Sequence, residues 1–289
     1  MAAYTQHLSK DEWFKRSDQH YQRVNVFAQE ARERASRREK HPVYDFLTQY
    51  YPFSLGKFEK WHPGVGIYLE HADKARFNEK HYSYDDKDGC WAEVSLMNDK
   101  EHGRLSFIKT LLEKTRERKG VYSCFGLHEW AMVYSGADVR HKESAPLRLP
   151  QHEIDAVVAS RPLVCTHFDA FRFFSPEAKP MNKHQPTLHD REHLEQPACI
   201  HVNMDLYKWA FKSMPWVGSD LVWRCFILAL EARKIDMRAS PYDISKWGCE
   251  PICIETEEGR VEYQKEQKEI EQRGALLRNE ILGVFDRIL

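Results

Sequence analysis

HVNMDLYKWAFK, residues 201–212, decides how the rest of the chain is read. It reads as a core helix, followed by a second at 219–237 and then by the breaker ASPYD at 239–243. On the first helix His201, Asp205, Lys208 and Trp209 share one face at i, i+4, i+7 and i+8. An imidazole, a carboxylate and an ammonium beside an indole can form a polar pocket wall inside a core element. A buried charge must be paired or used. A surface ion pair of Asp205 with Lys208 is the plainer alternative.

Upstream, Ser9 and Glu12 resemble a capping box, which predicts a long polar helix from about residue 10 to about 40. Pro42 ends it. Residues 43–51 and 54–61 read as short helices that pack aromatic side chains. GVGIYLE and HYSYDDKDGCWAEVSL read as strands with a DDKDG turn. Residues 101–118 form an amphipathic helix with Leu105, Ile108, Leu111 and Leu112 on one side, stopped by Gly120. A short buried helix is expected in CFGLHEWAMVYSG and another at 152–159, then a strand at 162–174. The loop 175–198 holds four of the thirteen prolines and should be irregular. PICIET reads as a short strand, and 259–287 as a closing helix. The expected architecture is α+β and helix-rich, a single globular domain with a few short strands and long N-terminal and C-terminal helices. It divides into a helical arm over 1–40, a core over 41–258 and the last helix over 259–289.

A chain of 289 residues with 42% hydrophobic and 12% aromatic residues can bury a sizeable core. Lys+Arg 43 against Asp+Glu 44 leaves a net charge of −1, whereas nucleic-acid-binding domains usually carry a basic excess. Any DNA contact therefore rests on local patches, and the basic runs at 32–40 and 114–119 are the candidates; a solvated helix face is the plain reading of the first. Seven scattered cysteines without a C-x-x-C, and a start without a basic-then-apolar signal region, lead to the expectation of reduced thiols in a cytoplasmic protein. No apolar run of membrane-spanning length occurs. Phosphate loops, dinucleotide glycine fingerprints and the nucleophile elbow are absent, which argues against nucleotide hydrolysis, dinucleotide redox chemistry and common serine hydrolases. The sequence leaves the oligomeric state open.

Four further groups combine apolar residues with titratable ones. In GLHEWAMVY (126–134) one of His128 and Glu129 must face inward, with a core arginine pair as the structural alternative for Glu129. In CTHFDAFRFF (165–174) an extended chain would put His167, Asp169, Phe171 and Phe173 on one face, and Phe168, Ala170, Arg172 and Phe174 on the other. The rings would desolvate Asp169 as a general base requires. A buried Asp169–Arg172 or Asp169–His167 pair is the alternative. ARKIDMRASPYD (232–243) offers Arg233, Asp236, Arg238 and Asp243, with Tyr242 either stacking on a base or capping the core. Asp45, His62, Arg140 and His141 form a looser set. No metal is the primary expectation; if one binds, His128, His167, His201 and Asp169 would hold it.

HPVYDFL (41–47), WHPGVG (61–66), CFGLHEWAMVY (124–134), PLRL (146–149), CTHFDAFRFF (165–174), MDLYKWAFK (204–212) and ASPYD (239–243) together give a resemblance along nearly the whole chain. The chain resembles a bacterial, largely actinobacterial family labelled 3-methyladenine DNA glycosylase. No catalytic residues are carried over from it. The resemblance implies hydrolysis of the N-glycosidic bond of a damaged or modified base flipped into an aromatic pocket. An Asp would activate water and stabilise the oxocarbenium-like sugar. The candidate catalytic residues are Asp169, Asp205, Glu129, His167 and His201; the candidate substrate-binding residues are Trp130, Phe171, Phe173, Lys208, Trp209, Tyr242, Arg172 and His62. DNA is the implied partner. The alternatives are a zinc or non-haem iron enzyme acting on a small molecule and a non-catalytic helical binding module.

WHPGVG raises its own question, because a Pro-Gly-x-Gly turn between two helices can clamp a DNA phosphate. SLGKFEKW before it can be helical, but GIYLE after it is β-prone. The turn is therefore expected to be only a turn, with its glycines relieving backbone strain.

Overall fold

The computed structural model describes residues 4–136 and 145–289. Strand β1 (Gln6–Leu8) leads into helix α1 (Lys10–Ser36), whose start is fixed by Glu12 accepting from the backbone N–H and hydroxyl of Ser9, both at 2.8 Å. α1 ends at Ser36, short of Pro42. It buries Trp13, His20, Val24, Phe27 and Ala28, and the Phe27 ring meets Phe226 edge-on at 4.8 Å. Short helices α2 (Phe46–Tyr50) and α3 (Leu55–Glu59) follow. Strands β2 (Ile67–Leu69), β3 (Tyr82–Tyr84) and β4 (Cys90–Ala92) join β1 in a sheet of order β1-β2-β4-β3. β1 runs parallel to β2, and the other neighbours are antiparallel. The DDKDG turn closes the β3–β4 hairpin, and the Asp85 carboxylate accepts from the N–H groups of Lys87 and Gly89 at 2.9 and 2.8 Å.

WHPGVG connects this sheet to the helical core. Gly64 and Gly66 have φ of 91° and 82°. A Cβ on Gly64 would lie 2.9 Å from the Gly218 nitrogen, and one on Gly218 would lie 2.5 Å from the Pro63 carbonyl oxygen. The two glycines let two backbones touch. The Val65 N–H donates to the Trp216 carbonyl at 2.9 Å, and the Ser219 N–H to that of His62 at 2.9 Å. An amide that a phosphate clamp would need is thus spent inside the protein, and strand β2, not a helix, follows the turn.

Helix α4 (Asp99–Glu117) buries the expected Leu105, Ile108, Leu111 and Leu112 and ends before Gly120. After it come α5 (Leu127–Met132), α6 (Gln151–Ala159), α7 (Phe168–Phe171), α8 (Arg191–Leu194), α9 (Ile200–Lys212), α10 (Ser219–Arg238) and α11 (Glu257–Phe285). α9 is the central rod: every residue from Ile200 to Phe211 is buried, and it packs against both α10 and α11. On α11, Gly274 permits the approach, since a Cβ there would lie 2.0 Å from Asn203 Oδ1. A helix buried on all sides normally carries apolar residues all round; α9 also buries His201, Asn203, Asp205 and Lys208.

Two expected strands are absent. Over 162–174 the chain makes one bridge, Leu163 to Asn182, and then turns into α7, with the His167 carbonyl accepting from the N–H groups of Ala170 and Phe171 at 3.2 and 3.0 Å. The Asn182 side chain takes the place of a neighbouring strand: Oδ1 accepts from the Cys165 N–H at 2.8 Å and Nδ2 donates to the Cys165 carbonyl at 2.9 Å. His167, Asp169, Phe171 and Phe173 therefore do not share a strand face. PICIET lies as a loop over the end of α10, with the Ile252 N–H donating to the Arg238 carbonyl at 2.8 Å. The proline-rich segment 175–198 contains isolated helical turns, of which α8 matters for the site.

Candidate functional site

A cleft of about 740 Å³ opens between α9, α4, the α2–α3 region and α8. Rings line it from Tyr50, Tyr51, Phe53, Phe107 and Trp209. Its cations are Arg104, Arg172, Arg191, Lys208 and Lys212, and its carboxylates Asp169 and Glu192. Five cations against two carboxylates make this cleft locally basic on a chain of net charge −1. Glu192 is occupied by Lys114 at 2.6 Å. Lys208 and Lys212 stand over the Trp209 ring at 4.3 and 5.7 Å from its centroid. Burial, with the Lys208 ammonium next, lowers the pKa of Lys212. Neither Arg104 nor Lys212 has an ion-pair partner among the described residues.

Helical geometry delivers the functional side chains. One turn of α7 points Asp169 into the cleft, while His167, at the helix start, goes inward. Asp169 bonds to Arg191 and lies 3.5 Å from Arg172 Nε and 3.8 Å from Lys208 Nζ. Arginines, rather than the expected aromatic rings, thus surround it. Asp205 lies behind the cleft, fully buried. Its Oδ1 accepts from the Tyr51 hydroxyl at 2.5 Å; its Oδ2 bonds to Lys208 and stands 3.4 Å from His167 Nε2. Burial alone would raise its pKa, but the Lys208 ammonium, then His167 and Arg191, hold it well below the carboxylate range.

A second buried group adjoins the first. Asp236 Oδ1 and His128 Nε2 are 2.7 Å apart; Arg233 Nη1 donates to Asp236 Oδ2 and to Glu129 Oε1, both at 2.6 Å. The Arg233 guanidinium also covers the Phe46 ring at 3.8 Å. Burial opposes the charges, yet Asp236 holds the His128 pKa well above its ordinary value, and His128 holds that of Asp236 well below. His201 links the groups: its ring is edge-on to His128 at 4.6 Å and stacked on His167 at 5.3 Å. Burial, then the neighbouring His128, pushes the His201 pKa well below its ordinary value.

Of the residues singled out in the sequence, Asp169, Arg172, Lys208 and Trp209 meet on the cleft, with His167 and Asp205 behind it. Glu129 forms the core arginine pair, with His128 in the same network and His201 beside it. The four residues proposed for a metal do not form one set: His128 and His201 group with Asp236, His167 groups with Glu195 and Asp205, and Asp169 belongs to neither. Trp130 is fully buried, donating to the Ala239 carbonyl at 2.8 Å, and Tyr242 is buried in the core. Phe171 packs against Phe174, and Phe173 lies under the Arg172 guanidinium at 4.5 Å. His62 stands 2.8 Å from the Tyr82 hydroxyl, away from the cleft, and burial, then His20 and His81, lowers its pKa to about 4. Asp45 pairs with Arg34 at 2.8 Å; Arg140 and His141 lie outside the described residues.

The expected basic runs are largely tied up: Arg32 with Glu59 at 2.7 Å, Arg34 with Asp45, Arg37 with Glu33 at 3.5 Å, and Arg118 with the Glu195 carbonyl at 2.9 Å. Sequence reasoning missed Arg191, Glu195, Arg104, Lys212, Tyr50 and Tyr51. Arg191 and Glu195 fall in the proline-rich segment, where no periodicity marks a buried face. No described helix is long and apolar enough to cross a membrane. No family model, no curated protein and no solved structure matches the chain.

Proposed function

We propose that the cleft binds a nucleotide of DNA with its base turned out of the stack, and that the protein hydrolyses the N-glycosidic bond of that base. The observation that carries this reading is the meeting of rings, two cations without ion-pair partners among the described residues, and the Asp169 carboxylate on a single cleft. A flipped base stacks on rings such as Trp209 and Phe107. Arg104, Lys212 and Arg172 answer the flanking phosphates. Asp169 takes the role first shared with Asp205, because it lines the cleft while Asp205 is sealed behind Lys208 and Tyr51.

In this reaction the carboxylate of Asp169 faces the sugar as positive charge develops at C1′ and accepts a proton from the attacking water. The C1′–N bond breaks with its electron pair leaving on the base. A new C1′–O bond forms from the water, leaving an abasic site. A base made cationic by alkylation leaves as a neutral molecule and needs no proton donor. The test is incubation of the protein with single-stranded and duplex oligonucleotides carrying a broad panel of modified bases, with mass spectrometry of the free bases. Release of at least one base supports the reading; no release from any substrate refutes it.

A further inference from the structure

Twelve buried side-chain nitrogen and oxygen atoms among the described residues make no hydrogen bond. Five of them belong to one neighbourhood around Asp205: Tyr50 Oη, His167 Nδ1, Arg191 Nε and both carboxylate oxygens of Glu195. Glu195 is 1% exposed. A buried carboxyl group without a single donor is costly, and native proteins rarely leave one so.

We propose that His167, Glu195 and Asp205 form a binding site for a divalent first-row transition ion, directly behind the cleft. The donor atoms of the three residues lie within 4.8 Å of one another. His167 Nε2 stands 3.4 Å from Asp205 Oδ2 and 3.9 Å from Glu195 Oε1. A charged imidazole–carboxylate hydrogen bond would be near 2.8 Å. Two ligands each bound at about 2.1 Å to one tetrahedral ion sit about 3.4 Å apart. One water bonding the same atoms at about 2.8 Å would spread them to about 4.5 Å. The spacing is therefore nearer to that of ligands around a small cation. One imidazole and two carboxylates suit zinc, iron(II) or manganese(II).

The surroundings fit this use. Ligating carboxylates are themselves hydrogen-bonded from outside, as Asp205 is by Tyr51 and Lys208. Two nearby cations stand on the cleft side, Lys208 on Asp205 and Arg191 Nη1 at 3.7 Å from both carboxylates. The free side is the one between Glu195 and His167, where no hydrogen-bond donor among the described residues reaches the Glu195 carboxylate. An ion there fixes Asp205, and through it the ammonium of Lys208 on the cleft wall. This inference does not depend on base release, since its readouts are metal content and stability.

The experiment is elemental analysis of the purified full chain, followed by chelation, dialysis and titration with zinc, manganese(II) and anaerobic iron(II) while Tm is recorded. About one equivalent of one of these metals, a Tm that falls on chelation, and recovery on titration are expected. Glu195→Gln should bind that metal more than ~100-fold more weakly, since loss of outer partners alone costs 10–100-fold. Asp169→Asn should bind it as the wild type does. Metal-free protein whose Tm responds to none of the three ions overturns the proposal. So does undiminished metal binding in Glu195→Gln. If that variant does not fold, the wild-type titration decides alone.

Discussion

Two groups built from the same residue types lie side by side in this core. In one, His128, Asp236, Arg233 and Glu129 satisfy one another at 2.6–2.7 Å. In the other, His167 stands 3.4 Å from Asp205 and 3.9 Å from Glu195, and the Glu195 carboxylate accepts no hydrogen bond among the described residues. The first is closed and sits away from the cleft; the second is open and sits behind it. A buried His with a carboxylate is thus no sign of function by itself. What separates the two is whether the hydrogen bonds are already made.

The strongest challenge to the closed group is Arg233→Met. It leaves Glu129 and Asp236 buried without their shared cation and should cost ~3–5 kcal/mol in urea unfolding. A cost below ~1 kcal/mol would mean that the network is not closed. Next, two matched substitutions set the groups against each other in chelated protein. Glu129→Gln removes a charged hydrogen bond and should cost ~1.5–3 kcal/mol. Glu195→Gln removes a carboxylate that accepts no hydrogen bond among the described residues and should change stability by less than ~1 kcal/mol, or increase it. Equal losses would erase the distinction.

The closed pair also predicts a pH window. Asp236, with its depressed pKa, contributes stability above its ordinary value of 3.8 and loses it as pH falls. His128, with its raised pKa, contributes fully below 6.5 and loses its contribution as pH rises through the folded value. The stability difference between wild type and His128→Gln should therefore be largest between 3.8 and 6.5 and shrink towards alkaline pH. A difference that grows above 6.5 contradicts the assignment.

The smallest effects separate cleft from surface. Lys212→Ala should weaken oligonucleotide binding and lower the salt slope by about 1. Arg37→Ala, which removes an exposed pair with Glu33, should change neither binding nor stability by more than ~0.5 kcal/mol. Equal salt slopes for both variants would move the DNA contact away from the cleft.

The helices were legible because their apolar periodicity is strong: 201–212, 219–237 and 101–118 lie within one or two residues of α9, α10 and α4. The strand expected at 162–174 was not, because phenylalanines interleaved with a His, an Asp and an Arg suit a buried helical turn as well as a strand, and Asn182 replaces the partner that a strand would need. β1 has only three residues, too few for alternation to show. At the site, Asp169, Arg172, Lys208 and Trp209 were readable as charged or polar groups among rings. Their company was not: Glu195 and Arg191 come from the proline-rich segment, and Asp236 stands 108 residues from its partner His128. Such pairings join α5 to α10 and α8 to α9, across separations that no local pattern records.

The most direct measurement is the amount of free base released by wild type and by Asp169→Asn from the same modified oligonucleotide, with Tm recorded for both. Release by the wild type, and its loss by at least ~100-fold in a variant that stays folded, is the expected result. Release by Asp169→Asn at the wild-type rate would contradict it.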